Sequence, residues 1–414
     1  MNRQRLLERF LRYVQIDTTA CDGAASVPSS PGQLVLGRIL VEELATAGIA
    51  DARQDEHGVV LATVPGNVSE PCPVIAFCAH VDTSPEAPGA NVKPQVIASY
   101  HGGDLTLPGD SRQVIRVADN PELETLIGQT LITSDGTTLL GADDKAGVAV
   151  IMETAAWLGE HPELPHGPLR LCFTCDEEIG HGTDHLRPAQ VGATVCYTLD
   201  GDSADKISVE TFSADLAVVT VRGKNIHPSI GKGRMTNAIR AAAEFVARLP
   251  RDRLSPETTA DREGFLHPYQ IQGGVGEVEL RVILRDFDTS ALAVYADRLR
   301  ETAAAVKADF PAAEIEVAIS KQYRNMAEGL ALEPRAGAYA EEALRRLGRT
   351  PKCEIIRGGT DGARLTELGL PTPNLSTGQH TPHSLLEWAC LDEMVAAGQW
   401  LVAIAERWSE AAKG

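Results

Sequence analysis

The sequence predicts an α/β fold, a sheet covered by helices on both faces, with a smaller α+β domain inserted into it. Three observations carry that reading. Through the first two hundred residues short apolar runs alternate with helical patterns, from about residue 214 the runs turn into strict two-residue alternation, and after about residue 322 the first pattern resumes. Strands alternating with helices build a sheet buried on both faces, whereas strands with one wet face and helices on the other form a separate two-layer unit. The expected boundaries are 1–213 and 323–414 for the two parts of the large domain and 214–322 for the insert.

The elements follow in order. MNRQRLLERFLRYVQID carries Arg3, Arg5, Arg9 and Arg12 through a stripe of Leu6, Leu7, Phe10, Leu11 and Val14. That spacing is an amphipathic helix and lacks the unbroken apolar stretch of a signal peptide. VVLATV stops at Pro65–Gly66, VIAFCA stops at His80, LRLCFT stops before Cys175 and TVCYTL stops at Asp200, so each reads as a strand. DDKAGVAVIMETAAWLGE is a helix whose opening acids, Asp143 and Asp144, suit its N-terminus. In the insert, which ends near IEVAIS, ADLAVVTVR and EVELRVILRDFD alternate as half-buried strands, and TNAIRAAAEFVARL and SALAVYADRLRETAAAV are amphipathic helices. CEII, PNL and a closing helix from Leu391 return to the large domain.

Bulk properties exclude several function classes. The 38 Lys and Arg against 57 Asp and Glu give a net charge of −19, which repels phosphate backbones and anionic membranes, so neither nucleic acid nor a membrane is an expected partner. Carboxylates gathered in a cleft would instead attract metal ions or a substrate ammonium. The eight Cys form no regular framework, and with no export segment they are expected as reduced thiols in a cytoplasmic protein. Cys172 and Cys175 spell C-x-x-C, but a spacing of three on a strand sends them to opposite faces, so a redox pair is not expected.

The chemistry sits where the strands end. CAHVDTSP, LLGADDKAG, TCDEEIGHG, YTLDGD and TGQHTPHSLLEW each deliver a metal-type side chain to the edge at which α/β sheets bind ligands: His80, Asp143, the pair Glu177 and Glu178, Asp200, and His380 or His383. On a strand, His80 and Asp82 point the same way, as a ligand and its orienter would. Any one of these is ordinarily a cap or a solvated loop residue; five at one edge are a constellation. Oxygen and imidazole donors without thiolate favour Zn²⁺, with Mn²⁺ or Co²⁺ as possible substitutes. There are more candidates than one open zinc needs, which points to two metals sharing a carboxylate, the arrangement of aminopeptidases. Adjacent Glu177 and Glu178 then divide into one ligand and one free base, in an order that spacing alone leaves open.

Together HVDTSP, LLGADDKAG, TCDEEIG, YTLDG, RDFD, IRGGTDGA, SYHGGD and the TG–HS–E ending resemble the co-catalytic zinc peptidase family that contains acetylornithine deacetylase, cytosolic dipeptidases and aminotripeptidases. The likeness runs nearly end to end. It implies a zinc-peptidase-type mixed sheet flanked by helices, with the insert as a lid and dimerisation domain in a homodimer. It implies two zinc ions per subunit bridged by Asp143, with His80 and Asp200 completing one site and Glu178 and His383 the other. Glu177 would be the general base, and Asp82 would hold the His80 ring and raise its basicity. His227, in NIHPS, would reach the scissile carbonyl oxygen, and Arg285 and Arg357 would be candidates for gripping a peptide carboxylate. The HS-x-x-E spacing selects His383 over His380. The chain departs from the family pattern at Ser376, where an aromatic residue is common, and at Gln379, where Gly is expected.

The resulting expectation is a cytoplasmic dizinc aminopeptidase that releases the N-terminal residue of tripeptides, by attack of a metal-activated water with Glu177 as base. The alternatives are an N-acyl amino acid deacylase or dipeptidase on the same scaffold and, from a different class, a non-catalytic metal- or peptide-binding protein.

Overall fold

The computed structural model describes residues 1–410. They form two compact units: Met1–Val209, Met326–Glu354 and the segment from Thr360 onward in the first, Glu210–Asn325 with Ile355–Gly359 in the second. The expected insert, 214–322, lies inside the second unit, which also takes in that short returning segment.

Four parallel strands make the centre of the first unit's sheet, side by side in the order Leu169–Thr174, Ile75–His80, Val195–Asp202 and Asn374–His380. All six residues of Ile75–His80 and all seven of Asn374–His380 are buried, as expected of parallel strands covered on both faces. Antiparallel strands extend the sheet on both sides, Val60–Val64 beyond Leu169–Thr174 and Trp388–Cys390, Leu131–Thr133 and Gln95–Ile97 beyond Asn374–His380. The helix Ala142–Glu160 packs on this centre and is buried along almost its whole length. Its Gly147 is required by close approach, since a Cβ there would stand 2.1 Å from the carbonyl oxygen of Leu199. The start of this helix is thereby seated on the strand that carries Asp200.

Two parts of this unit escape a periodicity reading. Between Ile75–His80 and Leu131–Thr133 the chain forms only short strands such as Leu105–Thr106 and Val114–Ile115, too brief for a pattern, around a small cluster of Tyr100, Leu107, Ile115, Leu123 and Leu126 with Trp388. The first helix, Arg3–Val14, buries Leu6, Phe10, Tyr13 and Val14 as its stripe requires, but it buries Arg9 as well. Arg9 donates to Glu153 at 2.8 Å, and Arg5 donates to the same carboxylate at 2.6 and 2.9 Å. Glu153 is fully buried in the helix Ala142–Glu160, so this ion cluster clamps the amino terminus onto the helix that begins with Asp143.

The second unit is a four-stranded antiparallel sheet in the order Phe265–Gly273, Glu277–Asp286, Ser213–Arg222 and Glu314–Tyr323. Helices Ala238–Arg248 and Ala291–Asp309 cover one face, where Val219, Val221, Leu280 and Val282 pack with Phe245, Leu292, Leu299 and Val306. Phe265–Gly273 was not anticipated, because the first half of FLHPYQIQG lacks alternation. It is an edge strand whose pairing slips between Pro268 and Gln270, where a proline is tolerated. Among the described residues no helix is long and apolar enough to cross a membrane, and the eight cysteines are unpaired.

The Glu153 cluster generates a stability test. Glu153→Gln keeps the shape but removes one of the two carboxylates paired with the buried Arg9, the other being Glu43 at 3.0 Å, and breaking a buried ion pair on one side typically costs about 3–5 kcal/mol. Urea denaturation should show a loss of that order; a change within about 0.5 kcal/mol would mean that the cluster contributes nothing net.

Candidate metal centre

The carboxyl ends of the parallel strands and the start of one helix bring five donors together. His80 ends its strand with a ring that is 3% exposed; Nε2 lies 3.1 Å from Asp143 Oδ1 and 3.9 Å from Asp200 Oδ1. Asp143 follows Gly141, which has φ +81°, and is itself non-helical at φ −80° and ψ 104°. This opening lifts its carboxylate off the helix axis. The second oxygen of Asp143 faces His383 Nε2 at 3.3 Å, and Glu178 Oε2 lies 2.9 Å from the same nitrogen. Two groups of donor atoms result, His80–Asp143–Asp200 and Asp143–Glu178–His383, each with its atoms within 4.8 Å of one another and with Asp143 common to both.

Local backbone chemistry presents these side chains. Glu177–Ile179 is a single 3₁₀ turn between Asp176 and Gly180, both left-handed at φ +63° and +79°. Asp82 holds that turn, accepting from the backbone N–H of Glu177 at 3.1 Å and of Glu178 at 3.0 Å. His80 Nδ1 meets the backbone carbonyl of Asp82 at 3.1 Å and its carboxylate at 3.4 Å. Asp82 therefore orients His80 and also fixes both glutamates, the second task being one that strand spacing does not reveal. His383 sits on a turn with φ +59°, after Thr381 at φ +50°, an unusual conformation for a β-branched residue. Thr381 is tied down by its hydroxyl, which donates to Asn120 Oδ1 at 2.8 Å.

The surroundings make the site electrostatically unusual. Burial alone would raise the Asp143 pKa, but the imidazoles of His383 and His80 hold it well below the usual carboxylate range. Burial and the nearby Asp143 carboxylate push Asp200 well up and Glu178 up to about 7. Glu177 is also driven well up, by burial first and then by Asp200, Asp361 and Glu178 against the opposing pull of His80. The Asp143 and Glu178 contacts raise His383 to about 11.

These donors fit a pair of divalent cations on two grounds. Glu178 Oε1 is buried with no hydrogen-bond partner, and the crowding that drives Asp200 and Glu178 towards their neutral forms is what divalent charge would offset. No thiol belongs to either group.

Some supporting residues went unnoticed in the sequence. Glu387 is buried and accepts from the backbone N–H of Leu140 at 2.8 Å, Gly141 at 2.7 Å and Asp143 at 2.9 Å, so it anchors the segment that presents Asp143. Its signal was the Glu of HS-x-x-E. Asp144 accepts from the His80 backbone N–H at 3.1 Å, and Asn374 Oδ1 accepts from that of Asp200 at 3.1 Å. Asp361, in IRGGTDGA, accepts from Thr174 at 2.6 Å.

His227, Arg285 and Arg357 lie in the second unit. His227 is exposed, and its Nδ1 lies 2.7 Å from the Ser229 hydroxyl and 3.3 Å from the Ser229 backbone nitrogen. Arg357 donates to the carbonyls of Asp261, Glu263 and Thr259 and to Thr259 Oγ1, between the rings of Phe212 and Phe265. Arg285 makes one long contact, 3.4 Å to the Arg357 carbonyl, and its Nε is buried without a partner. His380 stands apart from both donor groups, with Nε2 2.6 Å from Glu393, Nδ1 3.4 Å from Glu122 and its ring stacked 3.7 Å from that of Trp388.

The chain is similar to known peptidases along nearly its whole length. The model of peptidase family M20/M25/M40 matches residues 135–407. The chain is 44% identical to peptidase T of Geobacillus thermodenitrificans over 402 residues, covering 97% of this chain and 98% of that protein. It is 40% identical to peptidase T of Bacillus subtilis over 405 residues, with 98% of each covered. The fold superposes on the crystal structure of an aminopeptidase PepT from Bacillus cereus with a TM-score of 0.74, at 24% identity and 99% coverage of both chains. It also resembles a dinuclear metal-binding peptidase of the M20 family from Bacillus subtilis, with a TM-score of 0.62, 16% identity and coverage of 98% and 97%. The chain belongs to peptidase family M20/M25/M40 and is an enzyme of the metallo-aminopeptidase class.

The His380 cluster predicts a pH dependence of stability. Burial would lower the His380 pKa, but Glu122 and Glu393 outweigh it and raise the value. A raised folded value stabilises fully below the unfolded pKa of about 6.5 and is lost as pH rises through the folded value. The stability difference between wild type and His380→Gln, measured by urea denaturation across pH, should be largest below about pH 6.5 and shrink above it. A difference independent of pH would mean that the ring is neutral throughout.

Proposed function

We propose that this member of peptidase family M20/M25/M40 is a cytoplasmic aminopeptidase that removes the N-terminal residue of tripeptides at a two-metal centre. The observation that carries the proposal is the sharing of Asp143 between two donor groups, His80 and Asp200 on one side, Glu178 and His383 on the other. Zn²⁺ suits donors that are imidazole and carboxylate only, and Mn²⁺ or Co²⁺ could substitute. Two such ions polarise a carbonyl and acidify a water molecule.

The remaining work falls to this chain's own side chains. Glu177, the carboxylate in neither donor group, takes the proton from the attacking water and hands it to the leaving amine. His227 is the donor to the scissile carbonyl oxygen. Of the two arginines, Arg285 is the better partner for the peptide's terminal carboxylate. Arg357 already spends both terminal nitrogens on backbone carbonyls, whereas Arg285 keeps donors free. The acidic centre favours a substrate ammonium. The second unit mediates a homodimer in this reading, supported by its exposed edge strand Phe265–Gly273 with Tyr269 and Ile271 at the surface.

Two measurements test it. Glu177→Gln should retain its metals yet lose roughly 10²–10⁴-fold in turnover, while Glu178→Gln should lose metal first, as read by elemental analysis beside kinetics. The opposite pattern would exchange the two roles. Offered di-, tri- and tetrapeptides with free or acetylated amines, the zinc-loaded enzyme should cut free-amine tripeptides best and leave acetylated ones nearly intact. Equal cleavage of acetylated substrates would make it a deacylase.

A further inference from the structure

Asp200 is the donor whose carboxylate meets an amide side chain. The backbone N–H groups of Asp143 and Glu178 are held by Glu387 and Asp82, and that of Asp200 by Asn374. Its carboxylate is met by one uncharged side chain, Gln379, whose Nε2 lies 3.4 Å from Oδ1, the oxygen that faces His80. Gln379 is 3% exposed and stands at one of the two positions where the sequence departs from the family pattern.

The backbone is arranged to aim this amide. Asn374–His380 runs parallel to Val195–Asp202, but their register slips between Ser376 and Gln379, at a left-handed Gly378 with φ +88°. Such an irregularity re-aims the side chain that follows it. A Cβ at Gly378 would lie 2.9 Å from the Cys390 carbonyl oxygen, so the slip depends on glycine. The far end of the amide faces the Thr377 hydroxyl, which shares its one hydrogen between the Gly201 carbonyl at 3.0 Å and Gln379 Oε1 at 3.2 Å. A carboxylate that holds a cation is ionised and only accepts, so the NH₂ group is the end turned towards Asp200.

We propose that Gln379 is a positioning residue that fixes the Asp200 carboxylate and so tightens metal binding at the His80–Asp143–Asp200 group. A carboxylate oxygen has two lone pairs, one for an ion and one for the amide. The amide brings no charge. A lysine at this place would compete with the cation, and a glutamate would add to the crowding of Asp143, Glu177, Glu178 and Asp200. This role rests on the two-metal reading proposed above.

The test is zinc affinity, measured by competition with a chromophoric chelator, alongside thermal melting of the metal-free protein. Gln379→Met keeps length and removes the amide. It should weaken one of the two ions by about 10–100-fold, leave the other unchanged and leave the metal-free melting temperature unchanged. Gln379→Leu, a second variant without the amide, should weaken the same ion by a similar factor. Wild-type affinity for both ions in both variants overturns the proposal. So does a Gln379→Met protein that loses both ions together with its metal-free stability, because that is a packing defect. Fewer than two ions in the wild type would instead overturn the two-metal reading itself, and the positioning role with it.

Discussion

Gathering Asp143, Glu177, Glu178 and Asp200 out of water into one small volume is the constraint on which the rest of the catalytic unit depends. Each carboxylate raises the electrostatic cost of its neighbours, and two imidazoles cannot neutralise four acids. The fold answers with directed backbone dipoles. Asp82 gathers the N–H groups of the glutamate turn, Glu387 gathers three from the segment that leads into Asp143, and Asp144 accepts from His80. These supporting acids use their charge on the backbone and leave the donor carboxylates facing one another. A cluster built this way is poised to take up cations rather than to be stable without them.

Much of this was legible in the sequence because it is written in local pattern. The central strands announce themselves as apolar runs that stop abruptly, and each stop carries a polar residue that ends at the same edge of a parallel sheet. His80, Asp143, Glu178, Asp200 and His383 could be nominated from that rule and from resemblance, and all five lie in the two donor groups. The insert was visible as a change of period from buried runs to alternation.

The unread part is long-range or aperiodic. Nothing near Glu387 says that it will reach the backbone two hundred and more residues earlier, and nothing near Arg9 says that an arginine in an amphipathic helix will be buried against Glu153. The edge strand Phe265–Gly273 escaped because its first half, Phe265 to Pro268, obeys no alternation and ends in a proline, which leaves too short an alternating stretch to read as a strand. His380 and His383 have the same residue type three positions apart; what separates them is the left-handed turn between, which sends one to Glu393 and the other to Glu178. Single-sequence periodicity carries no record of such a turn when its residues are threonine and histidine rather than glycine.

The place of Asn374–His380 inside the sheet has a consequence for how the molecule comes into being. A chain made from its amino terminus has produced the strands of its first two hundred residues, and the whole of Glu210–Asn325, long before this strand exists. Until it arrives Val195–Asp202 lacks its parallel neighbour, and neither His383 nor Glu387 is present to organise Asp143. The second unit holds its own core and is free to fold while the first waits. The Asp143–Glu178–His383 donor group thus stays incomplete in every nascent or prematurely ended chain that lacks this strand and the turn after it.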